Sequence, residues 1–267
     1  MTTQDKPAGF IEISLKDGVL RLIITNEARY NAMTLQMWKD VAEHVNAAQS
    51  NDDVRVIVLQ GAGKKAFMSG ADITEFKTIR NDKVQAKIYA DCVNDAQSAL
   101  RSSQKPTIAA VKGICMGGGM GLSLSCDLRY CTETAKYAMP AAKLGVGYGY
   151  EGIQRFVNII GATRTLELFL TARTFSGNEA ARIGLANEVF SEEHFDKIVN
   201  ERIANMAGYA PLTMKAVKTA VRGILHEDDA PNEEEIRAAV TACFESEDYR
   251  EGQAAFKEKR KPQFKGR

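Results

Sequence analysis

Apolar and polar positions alternate over residues 10–15, Asp17-Gly18 follows, and the alternation resumes over 19–24. A period of two marks half-buried strands, and glycine supplies the positive φ of a tight turn, so the chain is expected to open with a hairpin. The period then changes. Leu35, Trp38, Val41, Ala42 and Val45 share one face of a 3.6-residue spiral, and the Thr34 hydroxyl stands at the N-cap position. Residues 54–59 (VRVIVL) follow as a strand buried on at least one face.

The alternation of strands and helices recurs. Residues 83–103 read as a helix that Pro106 closes, and 107–111 (TIAAV) as a strand. A small-residue helix runs from Gly117 to about Cys126, with short strands at 128–131 and 136–139. Helices are expected near 151–160 and 163–171, and Ser176 with Glu179 forms a capping box for a helix ending near Gly184. Residues 187–190 are the last strand. Beyond about 192 the strand signals stop, and 192–208, 211–225 and 232–249 read as helices. The expected architecture is α/β over a region 1–191 and all-helical over 192–267.

Composition narrows the partners. A formal charge of +1 supplies no global field toward nucleic acid or a membrane surface. No apolar stretch approaches the ~20 residues of a spanning helix, and MTTQDKPAGF carries no apolar signal region. Cys92, Cys115, Cys126, Cys131 and Cys243 are odd in number and form no C-x-x-C pair, as expected of free thiols in a cytoplasmic protein. His44, His194 and His226 lie in or beside helices, without a Ser or Asp signature, and G-x-S-x-G is absent, which argues against a triad. No cluster has ligand spacing, so no metal is expected.

Two glycine-bearing segments remain, Lys65 to Ile73 (KAFMSGADI) and Gly113 to Gly121 (GICMGGGMG), each directly after a strand. Both read as strand-to-helix turns in which glycine lets the backbone approach a ligand. The second opens a helix, whose unpaired N–H groups favour developing negative charge. Two such turns on neighbouring strands can aim two N–H donors at one oxygen, an oxyanion hole. One cluster alone would be explained as well by close helix–strand packing.

With these segments stand Asn31-Ala32-Met33, Gln154-Arg155, FSGNEAARIGLANEV at 175–189 and SEDYREGQAAFKEKRKPQF at 246–264. In this order they resemble the crotonase (enoyl-CoA hydratase/isomerase) superfamily over nearly the whole chain. The resemblance implies a spiral of ββα units with a helical C-terminal trimerisation region, assembled as a homotrimer or a dimer of trimers. It implies an acyl-coenzyme A thioester as substrate, the coenzyme entering as part of that substrate with no separate cofactor. The oxyanion donors carry over to the N–H groups of Ala71 and Gly118. Asp72, Ile73 and Thr74 fall where the family lines the coenzyme site, Arg29 in a segment that contacts its phosphates, and Phe256 and Lys259 where the C-terminus reaches a neighbour's coenzyme.

The chain departs from the hydratases of that family at both of their glutamates. One position, after the glycines, is Gly121; the other, in the turn Met139-Pro140-Ala141, is Ala141. Acid–base candidates then fall on the loop 145–152, GVGYGYEG. Glu151 stands near a carboxylate of some isomerases, and a dehalogenase aspartate aligns nearer Gly149. Tyr148 matches a loop tyrosine of methylmalonyl-CoA decarboxylase, which the chain resembles in part: L-G-V-x-Y and the C-terminal ending agree, whereas that enzyme's oxyanion histidine and its glutamate fall on Ala71 and Gly121. Glu151 reads equally as a first-turn helix residue, Tyr148 and Tyr150 as walls of an acyl pocket, and Asp72 as a turn residue or cap. Enolate chemistry on a thioester follows from the resemblance, as isomerase, decarboxylase or atypical hydratase; the alternative is a non-catalytic binding protein on the same fold. Dinucleotide binding at 147–152 (GYGYEG) lacks the preceding strand, and 61–65 (GAGKK) lacks the Ser/Thr of a P-loop.

Overall fold

The computed structural model describes residues 9–72, 75, 83–225 and 230–267. Strands β1 (Phe10–Lys16) and β2 (Val19–Thr25) form the expected hairpin, closed at Asp17 and Gly18, both at positive φ. Helix α1 (Leu35–Gln49) begins where its cap was expected, the Met37 N–H donating to the Thr34 hydroxyl at 3.3 Å. It buries Met37, Trp38, Val41 and Val45, the face its periodicity marked.

Three turns of a spiral follow, each built from two strands and helical chain, one helix in the first two turns and two in the third. The first has β3 (Val56–Gly61), β4 (Ala66–Met68) and α2 (Lys83–Ser102). The second has β5 (Thr107–Val111), β6 (Ile114–Met116) and α3 (Gly118–Leu124). The third has β7 (Leu128–Thr132), β8 (Lys136–Ala138), α4 (Ala141–Leu144) and α5 (Tyr150–Thr171). Each turn adds its first strand to a six-stranded sheet, β1-β2-β3-β5-β7-β10, and its second to a four-stranded one, β4-β6-β8-β9. Strand β9 is Phe175–Ser176 and β10 is Glu188–Phe190, with α6 (Gly177–Arg182) between them. Advance is parallel from β2 to β10, as right-handed crossover connections require.

The core fills the space between these layers. Leu22, Ile24, Ile57 and Leu59 of the larger sheet meet Trp38, Val41, Phe67, Met68 and Tyr137 there. On the other face of that sheet, Val19, Val56, Val58 and Ile108 pack against Phe195, Val199 and Ile203 of α7 (Glu192–Ala207). Helices α8 (Pro211–Ile224), α9 (Glu233–Glu245) and α10 (Glu247–Glu258) complete the described chain.

Four expectations change in detail. Residues 66–68 and 114–116, read as turns, are strands of the smaller sheet. Residues 150–171 form one helix kinked at Gly161, whose φ of 76° is outside the helical region and divides it near the expected place. The helix expected over 232–249 breaks at Ser246, whose extended backbone ends α9 and whose hydroxyl accepts the Tyr249 N–H to cap α10. At the predicted capping box, Ser176 accepts the Glu179 N–H, while the Glu179 carboxylate pairs with Arg173 instead.

Candidate functional site

Parallel pairing brings the two glycine segments together. In the smaller sheet Ala66 faces Ile114 and Met68 faces Cys115, so the chain leaves β4 and β6 at the same edge. After β4, Ala71 bridges Met33 in parallel. The Met33 N–H donates to the Gly70 carbonyl at 2.9 Å, and the Asp72 N–H donates to the Met33 carbonyl at 2.8 Å. In such a bridge the central residue's own N–H points to the opposite side. The Ala71 N–H therefore turns away from Met33, and it meets no acceptor among the described residues. After β6, the Gly117 N–H donates to the Ala138 carbonyl at 3.0 Å. Gly118, as the first residue of α3, has no intrahelical acceptor for its N–H and finds no other among the described residues.

The glycines of the second segment serve different ends. Gly117 takes φ 52° and ψ −115°, a conformation only glycine holds without strain. A Cβ on Gly119 would lie 2.4 Å from the Met68 carbonyl oxygen, so this glycine lets α3 touch β4. A Cβ on Gly118 would meet side chains only, the Met68 methyl at 3.3 Å and the Trp38 ring at 3.4 Å. Contact with backbone thus accounts for Gly119, whereas at Gly118 a Cβ would press only on side chains.

Ala71 and Gly118 line one cavity of about 310 Å³, which Trp38, Tyr89, Gln97, Ala141 and Tyr148 help to enclose. No described lining residue carries a carboxylate, imidazole, amine or guanidinium. The Trp38 indole donates to the Tyr89 hydroxyl at 2.9 Å, which ties α1 to α2 across the floor. The Tyr148 ring is held edge-on by Phe169 and Phe156, with centroids 5.1 and 6.4 Å away. Gly152 gives the ring room, since a Cβ there would sit 2.7 Å from it. Burial pushes the Tyr148 phenol up to about 12, with the Arg155 charge opposing the shift, so the hydroxyl is a proton-bearing donor at neutral pH. Of the two positions where glutamates were expected to be missing, Ala141 lines the cavity, and a Cβ on Gly121 would stand 2.8 Å from the Gln97 amide nitrogen and 3.0 Å from the Tyr148 hydroxyl.

The other expected site residues scatter. Glu151 is in the first turn of α5 and does not line the cavity, though its carboxylate lies beside Gly149, which does. Tyr150 is 70% exposed. Asp72 is buried and accepts a hydrogen bond from the Arg29 guanidinium at 2.6 Å; Arg29 is half exposed. Ile73 and Thr74 lie outside the described residues. Phe256 lines a separate groove among α8–α10 and is 88% exposed, and Lys259 caps α10 in a left-handed conformation; neither lines this cavity. Cys115 is fully buried under the second turn, and burial pushes its thiol up, which removes it as a nucleophile. The loop at 147–152 follows the helical turn α4, not a strand, so a dinucleotide site has no scaffold there.

Gln97 and Tyr89 are cavity residues that motif reading passes over. The signal was present: Tyr89, Val93 and Gln97 recur at intervals of four on the inner face of α2, and a glutamine among Ala96, Val93 and Leu100 is out of character for a core face.

The sequence profile of the enoyl-CoA hydratase/isomerase family matches residues 14–267. The chain is 31% identical to the short-chain-enoyl-CoA hydratase of Clostridium acetobutylicum, over 92% of this chain and 94% of that protein. It is 32% identical to the peroxisomal Delta(3,5)-Delta(2,4)-dienoyl-CoA isomerase of Arabidopsis thaliana, over 97% of both. A crystal structure of an enoyl-CoA hydratase/carnithine racemase from Magnetospirillum magneticum superimposes with a TM-score of 0.89 at 31% identity, covering 98% of this chain and 97% of that one.

Proposed function

The chain belongs to the enoyl-CoA hydratase/isomerase family, and from that premise we propose that it is an acyl-coenzyme A enzyme that polarises a thioester carbonyl between the N–H groups of Ala71 and Gly118. One observation carries the reading: Ala71 and Gly118, whose N–H groups have no acceptor among the described residues, line one cavity whose described lining carries no charge. A thioester oxygen gains negative charge as an enolate forms, and donors fixed in advance stabilise that charge without reorganisation. Coenzyme A enters as part of the substrate. Arg29, held by buried Asp72, is our candidate for contact with its phosphates, beside Ile73 and Thr74.

Two-carboxylate hydration does not fit the residues present. Gly121 and Ala141 transfer no proton, and a Cβ at Gly121 would already crowd Gln97 and Tyr148. Tyr148, which lines the cavity, is the first candidate for moving a proton at the acyl chain; Glu151, beside Gly149, is the second. Isomerisation, decarboxylation and a slow hydration all use the same enolate. The uncharged lining also favours a second reading, a binding protein on the same fold, which would hold acyl-CoA and turn over none of a thioester panel.

Assembly as a trimer or dimer of trimers follows in the proposal from the C-terminal helices, where Val217, Val221, Ile224, Phe244 and Phe256 are exposed. Phe256 and Lys259 would then approach a neighbour's coenzyme. Five unpaired cysteines suit a cytoplasmic setting, and no helix among the described residues is long and apolar enough to cross a membrane.

Calorimetry with crotonyl-CoA and crotonic acid tests the proposal. The expected result is that the thioester binds and the free acid does not. No heat from any thioester at millimolar concentration would contradict it.

A further inference from the structure

Gln97 is only 4% exposed, yet its side-chain amide makes no hydrogen bond among the described residues. An amide that borders a cavity without a protein partner is free to bond a ligand or a water there. Gln97 lines the cavity, and so does Tyr148, whose hydroxyl likewise has no hydrogen-bond partner among the described residues. The two groups converge: from one point over Gly121, the Gln97 amide nitrogen is 2.8 Å away and the Tyr148 oxygen 3.0 Å. The absence of a side chain at Gly121 keeps that approach open. Val93, Ala141, Leu144 and Val146 give the cavity much apolar wall, with Ser69 and Asn94 as further uncharged polar residues in the lining.

A polar pair set in an apolar wall recognises a polar atom set in an apolar ligand. The pair carries no formal charge, because the phenol keeps its proton and an amide has none to lose. An anionic group would meet no cation in the described cavity lining. The Arg155 guanidinium, whose charge reaches Tyr148, is engaged by the Ser125 hydroxyl and the Glu151 carbonyl, so the anion would keep much of its desolvation penalty. A neutral hydroxyl or carbonyl oxygen has the right character: it accepts from the phenol, and the amide serves as either donor or acceptor.

Resting on the acyl-CoA reading above, we propose that Gln97 and Tyr148 form a subsite for a neutral oxygen on the acyl chain, and that Gln97 makes the enzyme selective for oxygenated acyl-CoA esters over plain alkanoyl ones. Gln97 is a specificity residue in this account. It takes no proton and forms no bond.

Calorimetry on the intact protein with 3-hydroxybutyryl-CoA, acetoacetyl-CoA and butyryl-CoA tests this directly. The wild type is expected to bind at least one oxygenated ester about tenfold more tightly than butyryl-CoA, the size of one or two satisfied neutral hydrogen bonds. In Gln97→Leu the ratio should fall to near one. Tyr148→Phe, which keeps the ring packing and removes only the hydroxyl, should lower the same ratio and guards against a misfolded Leu variant. Equal binding of all three esters by the wild type, or a ratio unchanged in both variants, overturns the subsite and leaves the acyl-CoA reading standing. Failure of all three esters to bind overturns both.

Discussion

The hydroxyl of Tyr148 lies 3.0 Å from the point where a Cβ on Gly121 would stand, so the phenol occupies the approach that a glutamate at 121 would need. The ring reaches that place from the loop before α5, braced by Phe156 and Phe169. On the proposed reading, a proton-bearing group thus reaches the site from a different element of the chain.

If Tyr148 moves the proton, Tyr148→Phe should lower kcat by roughly 10²–10⁴-fold, the usual worth of a general acid or base. Its pKa gives a second readout. The protonated phenol is the donor, and its folded value is raised to about 12 against an ordinary value near 10. Wild-type turnover should thus show no loss from this group until the pH nears 12. Stability follows the same sign: below about pH 10 the group is protonated folded or unfolded, and between 10 and 12 the unfolded chain ionises first, so stability falls as pH rises. Tyr148→Phe should lose less stability over that range in alkaline denaturation. A variant with full turnover would exclude Tyr148 as the proton carrier.

Crotonyl-CoA hydration should be slow. If Gly121 and Ala141 stand at the two hydratase glutamate positions, as the resemblance implies, the rate should fall at least about 10²-fold below that of the Clostridium acetobutylicum hydratase in a side-by-side assay. Equal rates would show that other groups perform the hydration.

Neighbouring glycines should respond differently to the same change. Gly119→Ala drives a methyl against the Met68 carbonyl at 2.4 Å and should cost about 1–3 kcal/mol of stability, read in denaturant unfolding. Gly118→Ala meets the flexible Met68 methyl and should fold with stability within about 1 kcal/mol of wild type. Gly118→Pro places proline at the first position of α3, where helices accept it, and removes the N–H. It should lower turnover about 10²–10³-fold. Equal destabilisation by both alanines would assign Gly118 to packing alone.

The apolar residues exposed on α8–α10 should be covered in solution. Light scattering at micromolar concentration is expected to give three or six copies, and a monomer would contradict the proposed assembly.

Long periodic elements were legible in the sequence because burial wrote them there: the alternating hairpin, the Thr34-capped face of α1 and the apolar strand at 107–111 stand where their patterns put them. Strands of three residues, 66–68 and 114–116, are too short to show a period. The break at Ser246 was signalled by a hydroxyl followed by Glu247 and Asp248, a cap signature hidden inside a continuous helical pattern. At the site, the glycine clusters were visible because glycine is scarce inside regular elements. Gln97 was not, because a single polar residue on a helix face acquires meaning only when the opposite wall is known.

The polarisation of the thioester is measured most directly by isotope-edited infrared difference spectroscopy on crotonyl-CoA labelled at the thioester carbonyl and bound to the wild type. The account predicts a carbonyl stretch at lower frequency than in free ligand, because two hydrogen bonds draw charge onto the oxygen, and a return toward the free value in Gly118→Pro. A saturated wild-type complex with the carbonyl at its free frequency would contradict the oxyanion role of Ala71 and Gly118.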